Sequence, residues 1–313
     1  MCIRDSGYNN KEVSLLKAGD KDSEGNAIMH SFWAPEIHEI DGRLTILFMA
    51  GYGNTWSNGK SVYMQLKQDA DGHDLDPTDP DNWTVPTPIY RNDASLLNGN
   101  KQLAATASGG VGMSLDMTYF QDADGRSYYA WQQLGATYIA KMDPKDPAHV
   151  TSSPVRIVTP EYAWNAAIAE GPNVTLRDGK LYLMFSGSGV GKTYTTGLAV
   201  ADASGTDLTD PASWTVLNYP IQKSGPFNGE MQLGTGHGMW SEDEDGNQVY
   251  VFHAYATKNL GSVNAAGRDM FVRRVHWAAD GMPVFDMSSS EELASKTVSV
   301  TCLLYTSPSP RDL

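Results

Sequence analysis

The chain has 313 residues, of which 41% are hydrophobic and 19% are charged. This apolar share is sufficient for a packed core and argues against a disordered chain. Lys and Arg number 23 against 37 Asp and Glu, which gives a net charge of −14 with no basic stripe, so nucleic acid is not an expected partner. No apolar run approaches the ~20 residues that a membrane-spanning helix needs.

The two ends of the chain differ from the rest. Residues 1–6 (Met-Cys-Ile-Arg-Asp-Ser) and 302–307 (Cys-Leu-Leu-Tyr-Thr-Ser) can be encoded by one DNA segment and its reverse complement, and that segment resembles the transposase end used in sequencing adapters. We therefore expect residues 1–6 and 302–313 to be adapter-like tails and restrict the fold prediction to residues 7–301. Both cysteines fall in these tails, so the sequence predicts no disulfide, thiolate metal site or cysteine nucleophile.

Strand signals dominate residues 7–301. Short runs rich in aromatic and β-branched residues alternate with turn clusters of Asp, Gly, Asn and Pro, and no stretch beyond about ten residues keeps a helical period. Four Asp-Gly turns, with glycines at positions 42, 125, 179 and 246, are each preceded and followed by such a run. The pattern predicts an all-β fold built from repeated hairpins.

The hairpins belong to a longer repeat. Residues 79–85 (Asp-Pro-Asp-Asn-Trp-Thr-Val) match residues 210–216 (Asp-Pro-Ala-Ser-Trp-Thr-Val), and residues 143–150 are a weaker echo. The turn glycines are about 68 residues apart on average. This exceeds the ~40–50 residues of common propeller repeats, but it accommodates four strands with long loops. We predict a β-propeller. A sandwich or a barrel remains an alternative, but neither would explain the repeat.

The repeat also predicts where a site lies. Nine residues before the four turn glycines stand Trp33, Asp116, Glu170 and His237. Because the same position of each repeat has the same radial place in a propeller, we expect these four side chains to surround one axial pocket. A purely structural position would be apolar or glycine in every repeat, whereas an aromatic ring, two carboxylates and an imidazole suit sugar chemistry.

The same residues carry a resemblance to a known family. In chain order the motifs are Trp33-Ala-Pro-Glu-Ile-His38, Ser114-Leu-Asp-Met-Thr118, Glu170-Gly-Pro-Asn173, Gly234-Thr-Gly-His-Gly238, Arg268 and Trp277-x-x-Asp280-Gly-x-Pro283. Their order and spacing, over about residues 30–286, resemble glycoside hydrolase family 43. The resemblance implies a five-bladed β-propeller that hydrolyses α-L-arabinofuranosides and β-xylosides with inversion of configuration.

The resemblance also implies roles for individual residues. Glu170 is the expected general acid, and Asp116 is expected to orient it and to raise its pKa. His237 resembles the axial histidine that the family associates with a bound calcium ion or water. Arg268 resembles the arginine that pairs with the general base.

One catalytic group has no counterpart in the sequence. The general base of the family is an aspartate in the first blade, upstream of the motif that begins at Trp33. Residues 7–32 are too few for a four-stranded blade, and Asp20 and Asp22 lie in a turn cluster. We therefore expect the first blade to be largely missing and the general base to be lost with it.

Further side chains are candidates for substrate binding. Trp33 can stack on the apolar face of a sugar ring, and Trp164 and Asn165 lie shortly before the expected acid. Trp56 lies on a loop rich in Gly and Asn after a strand, where binding residues concentrate. Arg268 completes the set. Each has a structural alternative: a core position for the aromatic rings, a turn for the asparagine and a surface position for the arginine.

We predict an exo-acting, inverting α-L-arabinofuranosidase whose substrate is plant cell-wall arabinan or arabinoxylan. The alternatives are a β-xylosidase of the same family and a non-catalytic sugar-binding propeller, which would not need Glu170 and Asp116 together. No organic cofactor is expected. A calcium ion near His237 would need waters or other oxygen ligands, because one histidine cannot form a cage. A secreted or cell-surface bacterial protein is the expected setting for this acidic, polysaccharide-degrading chain.

Overall fold

The structure is a computed structural model that describes residues 13–54, 58–97, 113–256, 267–288 and 291. Its strands form four sheets of four or more strands, which are the blades of a β-propeller. The all-β propeller prediction is therefore confirmed, whereas the five-blade count and the largely missing first blade stay predictions. Residues 1–6 and 302–313, the expected tails, lie outside the described residues.

The first two blades precede residue 160. Blade 1 consists, in order across the sheet, of β1 (Ile28–Ile40), β2 (Arg43–Tyr52), β3 (Gly59–Gln65) and β4 (Thr87–Pro88). Blade 2 contains β5 (Tyr90–Arg91), β6 (Leu115–Gln121), β7 (Ser127–Gln133), β8 (Ala136–Asp143), β9 (Asp146–Val150) and β10 (Val155–Val158). Its order is β5-β9-β8-β7-β6, with β10 also paired to β8.

The other two blades follow. Blade 3 consists of β11 (Ala169–Arg177), β12 (Lys180–Gly187), β13 (Thr195–Asp202) and β14 (Thr215–Val216). Blade 4 consists of β15 (Gly225–Phe227), β16 (Glu230–Glu242), β17 (Gln248–Tyr255) and β18 (Asp269–Arg274). A separate pair is formed by β19 (His276–Trp277) and β20 (Pro283–Val284).

Helical structure in the described ranges consists of three-residue 3₁₀ turns at Pro80–Asn82, Ala163–Asn165 and Pro211–Ser213. None of the described helices has the length and apolar character needed to cross a bilayer.

The sequence repeat corresponds to a repeated local structure. Asp79 and Asp210 each cap a 3₁₀ turn by accepting a backbone N–H two residues ahead. Trp83 and Trp214 follow these turns, are buried, and donate their indole N–H groups to backbone carbonyls six residues earlier. The repeat thus places a buried tryptophan at the equivalent position of blades 1 and 3. The weaker echo at 143–150 forms the β8–β9 connection and strand β9 instead.

Apolar side chains fill the spaces between neighbouring blades. Buried members of these clusters are Leu47 and Trp131 between blades 1 and 2, Ile139 and Leu183 between blades 2 and 3, and Met184 and Tyr250 between blades 3 and 4. The strands β1, β6, β11 and β16, called the axial strands below, meet where the blades converge: β11 packs against β6 and β16, and β1 packs against β6.

Each axial strand contains a β-bulge at an equivalent place. In blade 3 the pairs Glu170–Ser186 and Asn173–Met184 are separated by three residues on β11 but by two on β12, and the other blades show the same shift. One residue of each bulge has a left-handed backbone, with φ between 49° and 58°: Ala34, Asp116, Gly171 and His237. Because a bulge redirects nearby side chains, these four positions present their residues differently from a regular strand.

The turns that follow the axial strands differ in length. Blades 1 and 3 use two-residue Asp-Gly turns, in which Asp41 and Asp178 have a positive φ like the glycines after them. Blades 2 and 4 use five-residue turns at 122–126 and 243–247. The glycine therefore stands one residue further from the bulge in blades 2 and 4.

This difference corrects the predicted register. The prediction that Asp116 and His237 share one position with Trp33 and Glu170 is wrong by one residue in blades 2 and 4. The residues that match Trp33 and Glu170 in strand pairing are Leu115 and Gly236. Asp116 and His237 instead occupy the left-handed bulge position, which holds Gly171 in blade 3. The carboxylates of Asp116 and Glu170 therefore lie on neighbouring strands, at adjacent positions of the bulge.

Asp122 anchors the turn of blade 2, and its replacement tests that turn. Its buried carboxylate accepts hydrogen bonds from the backbone amides of Asp124 and Arg126, from the Arg126 guanidinium at 2.6 Å and from the Tyr128 hydroxyl at 3.1 Å. Asp122→Ala leaves these donors without their acceptor, so we expect the free energy of unfolding, measured in urea, to fall by about 2–4 kcal/mol.

Asp69 provides the matched control. It accepts two backbone amides in the same way, but it lies on an exposed turn. Asp69→Ala should therefore have a much smaller effect, and equal losses for the two variants would contradict the anchoring role of Asp122.

Candidate active site

Gly171 is the contact point between three axial strands. Its backbone N–H donates to Asp116 Oδ2 at 3.0 Å, which ties blade 3 to blade 2. On the other side, a Cβ at this position would lie 3.3 Å from Nδ1 of His237 in blade 4. Glycine also adopts the positive φ of the bulge without strain. The structure thus brings Asp116 and His237 to either side of the residue that follows Glu170.

Glu170 lies at the start of this bulge and is half-buried. Its Oε1 accepts a hydrogen bond from the Tyr194 hydroxyl at 2.7 Å. Burial and, next, the negative charge of Asp116 raise the pKa of Glu170 to about 7, although the Tyr194 hydrogen bond and the charges of His237 and Arg268 act in the opposite direction. A carboxyl group with this pKa keeps its proton close to neutral pH, as a general acid must.

Asp116 is 4% exposed, and the groups that act on its carboxyl differ from those that act on Glu170. Burial raises the pKa of Asp116 to about 7; the amide of Gly171 opposes this shift, and the charge of Glu36 adds to it. The backbone N–H of Gly171 stabilises the ionised form of Asp116, and the charge of Asp116 in turn raises the pKa of Glu170, so the two carboxyl groups resist double ionisation and the pair retains a proton close to neutral pH.

Asn173 links three blades just beyond the bulge. Its Nδ2 donates to Glu36 Oε1 at 3.2 Å in blade 1, and its Oδ1 accepts the backbone N–H of Trp240 at 2.9 Å in blade 4. Glu36 is also paired with His38 at 2.8 Å. These bonds hold the axial strands in place below Glu170.

His237 and Arg268 are connected through His253. The His237 and His253 rings lie 6.2 Å apart, and the Arg268 guanidinium lies 2.8 Å from His253 Nε2. Arginine has no acceptor, so Nε2 must accept and the His253 ring is neutral. Burial and, next, the charge of Arg268 lower the pKa of His253 to about 3, which agrees with that state. Arg268 is exposed and directly precedes β18, the last strand of blade 4, and it therefore acts on the site through this ring and through its charge.

The other predicted binding residues differ in their surroundings. Trp33 is 45% exposed beside the bulge of β1, so it is accessible to a sugar ring. Trp164 is half-buried, packs over Gly187 and donates its indole N–H to a backbone carbonyl. Asn165 is fully buried and caps a 3₁₀ turn through Oδ1, so its burial favours a turn role over a substrate contact. Trp56 lies outside the described residues. The substrate-binding roles stay predictions.

Two site residues carried no signal in the sequence. Tyr194 directly precedes β13, and His253 lies on β17. Neither residue is part of an axial strand. Folding brings both to Glu170 and His237. A search of the strands that pair with the axial strands would have included His253, because it pairs with Gly236.

The residues near His237 offer few of the ligands that calcium needs. Calcium takes 6–8 oxygen ligands, whereas His237 supplies one nitrogen from a ring whose pKa is lowered, chiefly by burial. Within the described residues, the group of three carboxylate or imidazole ligands that lie close together is Asp69, Asp71 and His73, on an exposed turn away from the axial strands. The protein groups around His237 therefore do not fit a calcium site of their own.

A glutamate with a raised pKa beside a buried aspartate, on adjacent axial strands of a propeller, can supply the proton donor that glycoside hydrolysis needs. Residues 6–283 match the glycosyl hydrolases family 43. The chain therefore belongs to glycoside hydrolase family 43.

Individual relatives agree with this membership. The chain is 29% identical over 266 residues to the extracellular exo-α-(1→5)-L-arabinofuranosidase of Streptomyces avermitilis, over 81% of this chain and 49% of that protein. It is 29% identical over 267 residues to α-L-arabinofuranosidase 43 of Humicola insolens, with the same coverages. The chain thus spans about half the length of these curated relatives. The solved structure of α-L-arabinofuranosidase from Lactobacillus brevis superimposes with a TM-score of 0.66 at 26% identity, over 83% of this chain and 80% of that one.

The raised pKa of Glu170 predicts a pH-dependent stability. At a pH below 4.5, its ordinary pKa, both the folded and the unfolded chain hold the proton. As the pH rises to about 7, the unfolded chain loses the proton that the folded chain retains, so the Glu170 contribution to the free energy of unfolding decreases. Glu170→Gln removes this loss. We expect the variant to gain stability relative to the parent chain between pH 4.5 and 7.5, by on the order of 2 kcal/mol for a partly screened group.

Urea unfolding of both proteins at the two pH values measures this gain. Glu244→Gln, on the exposed turn of blade 4, is the control and should follow the parent chain. A difference between parent and Glu170→Gln that is the same at both pH values would show that Glu170 has an ordinary pKa.

Proposed function

We propose that this protein is an inverting glycoside hydrolase that acts on α-L-arabinofuranosyl linkages of plant arabinan or arabinoxylan. The observation that carries the proposal is the Glu170 carboxyl next to the buried Asp116, where burial and the charge of Asp116 raise the pKa of Glu170 to about 7. The names of the Streptomyces and Humicola relatives support the arabinofuranosyl specificity.

In this proposal Glu170 is the general acid. It transfers its proton to the glycosidic oxygen as the bond to the anomeric carbon breaks, and the oxygen keeps the electron pair of that bond. Asp116 keeps the proton on Glu170 until that moment, because two neighbouring carboxylates resist double ionisation. Trp33, exposed beside the bulge of β1, offers an aromatic face to the sugar.

An inverting mechanism also needs a water on the opposite face of the sugar, which bonds to the anomeric carbon, and a general base ~6.5–9.5 Å from the acid, which takes a proton from that water. We assign none of the described residues to this role. Our proposal places the base on a further blade, the fifth of the propeller, and outside residues 7–301. This part of the proposal rests on the family resemblance.

Hydrolysis of aryl α-L-arabinofuranosides, with aryl β-D-xylosides in parallel, tests the function. We expect release of the phenol by the parent chain only with azide as an external nucleophile, because the proposed base lies outside the chain, and a preference for the arabinoside. On an arabinofuranoside of a weakly acidic phenol, whose departure needs protonation, Glu170→Gln should lower the rate by about 10²–10⁴-fold, because it removes the proton donor. Glu244→Gln should leave the rate unchanged.

The pattern of rates distinguishes the alternatives. Turnover only with azide, giving the inverted glycosyl azide, would support an acid site without its base. Turnover in buffer alone would show that a base is present within the chain. A preference for the xyloside would assign a β-xylosidase, whereas a folded chain that binds arabino-oligosaccharide but turns over neither substrate would identify a sugar-binding propeller. Equal rates for the parent chain and Glu170→Gln would contradict the role of Glu170.

A further inference from the structure

A chain of hydrogen bonds ends at the Glu170 carboxyl. The backbone N–H of His237 donates to Ser186 Oγ at 2.7 Å, the Ser186 hydroxyl bonds to the Tyr194 hydroxyl, and Tyr194 donates to Glu170 Oε1 at 2.7 Å. Each hydroxyl has one proton. Since Tyr194 gives its one proton to Glu170, the Ser186 hydroxyl must be the donor in its bond to Tyr194.

The direction of this chain assigns the proton of Glu170. Oε1 accepts from Tyr194, and a protonated carboxyl carries one O–H group. The acidic proton therefore resides on Oε2. The Tyr194 bond thus makes the two oxygens of the carboxyl group unequal.

Packing fixes the Tyr194 ring in this position. Tyr194 is 1% exposed, and its ring stacks on His253 with centroids 5.5 Å apart and planes at 11°. On the side of blade 4 it lies against Gly236, where a Cβ would come within 2.4 Å of the ring. His253 is itself held by Arg268. The hydroxyl is therefore presented by a ring with little freedom to move.

We propose that Tyr194 is a positioning residue that holds the carboxyl of Glu170 so that Oε2 delivers the proton to the leaving oxygen. This inference rests on the proposed acid role of Glu170. When the proton leaves Oε2 for the glycosidic oxygen, the resulting carboxylate keeps the Tyr194 hydrogen bond on Oε1, and a bond to a charged acceptor is stronger than one to a neutral carboxyl. Tyr194 therefore stabilises the carboxylate that the transfer leaves, in addition to fixing the orientation of the Glu170 carboxyl group.

The other charged or titratable groups that act on Glu170 lie on separate elements. Asp116 belongs to β6, His237 to β16, and Arg268 precedes β18. None of these three is altered by removal of the Tyr194 hydroxyl, so the effect of Tyr194→Phe can be assigned to the hydrogen bond.

The test compares Tyr194→Phe with the parent chain on aryl α-L-arabinofuranosides whose leaving phenols differ in acidity, in buffer and with azide. Poor leaving groups need protonation, whereas strongly acidic phenols leave without it. We expect kcat to fall by about 10–10²-fold for the least acidic phenol, as for a misplaced catalytic group, with a minor change for the most acidic phenol and for KM. The dependence of rate on phenol acidity should therefore become steeper.

Tyr250→Phe is the matched control. Tyr250 is also fully buried and its hydroxyl bonds to Thr196 at 2.6 Å, but it does not contact Glu170. Loss of the Tyr250 hydroxyl should lower the free energy of unfolding but leave the dependence of the rate on phenol acidity unchanged. Ser186→Ala, which removes the donor to Tyr194, should give a milder form of the Tyr194→Phe pattern and provides a second variant if Tyr194→Phe does not fold.

The outcomes separate this inference from the proposed function. Turnover that is lost in Glu170→Gln but is uniformly lowered, or unchanged, in Tyr194→Phe for all leaving groups would overturn the positioning role alone. Turnover that is unaffected by Glu170→Gln, or absent in the parent chain with and without azide, would overturn the proposed function, and the role of Tyr194 would be lost with it.

Discussion

The hydrogen bond from the Gly171 amide to Asp116 Oδ2 connects the fold to the chemistry of this protein. It forms because the axial strands of blades 2 and 3 each contain a bulge with a left-handed residue, so that a side chain of one strand reaches the backbone of the next. The missing Cβ of Gly171 also leaves room for the ring of His237. One bulge position, repeated around the axis, thus gathers the polar groups of three blades.

The two neighbouring carboxyl groups keep a proton at this site. Burial raises the pKa of both Asp116 and Glu170 to about 7, the charge of Asp116 adds to the shift of Glu170, and the Gly171 amide favours the ionised form of Asp116. The Tyr194 hydrogen bond opposes the rise in the pKa of Glu170, since the hydroxyl stabilises the carboxylate that remains after proton transfer. The site therefore combines a group that retains the proton with a group that assists its release.

Much of this arrangement could be predicted from the sequence, because a propeller repeats its turns and strands. The count from the turn glycines placed Glu170 and located Asp116 and His237 within one residue of the matching position. The error arose because the sequence does not show that two turns have five residues instead of two. Tyr194 and His253 could not be predicted in this way, because they come from strands and connections outside the repeated position and meet the site through packing.

The most direct test of this account is the pKa of the Glu170 carboxyl, measured by ¹³C NMR titration of the glutamate-labelled chain, with Glu170→Gln used to assign its resonance. The account predicts a pKa of about 7 in the parent chain. It also predicts a lower pKa in Asp116→Asn, where the neighbouring charge is gone but burial remains. A value close to 4.5 in the parent chain, or one that does not change in Asp116→Asn, would contradict the conclusion that Asp116 holds the proton on Glu170.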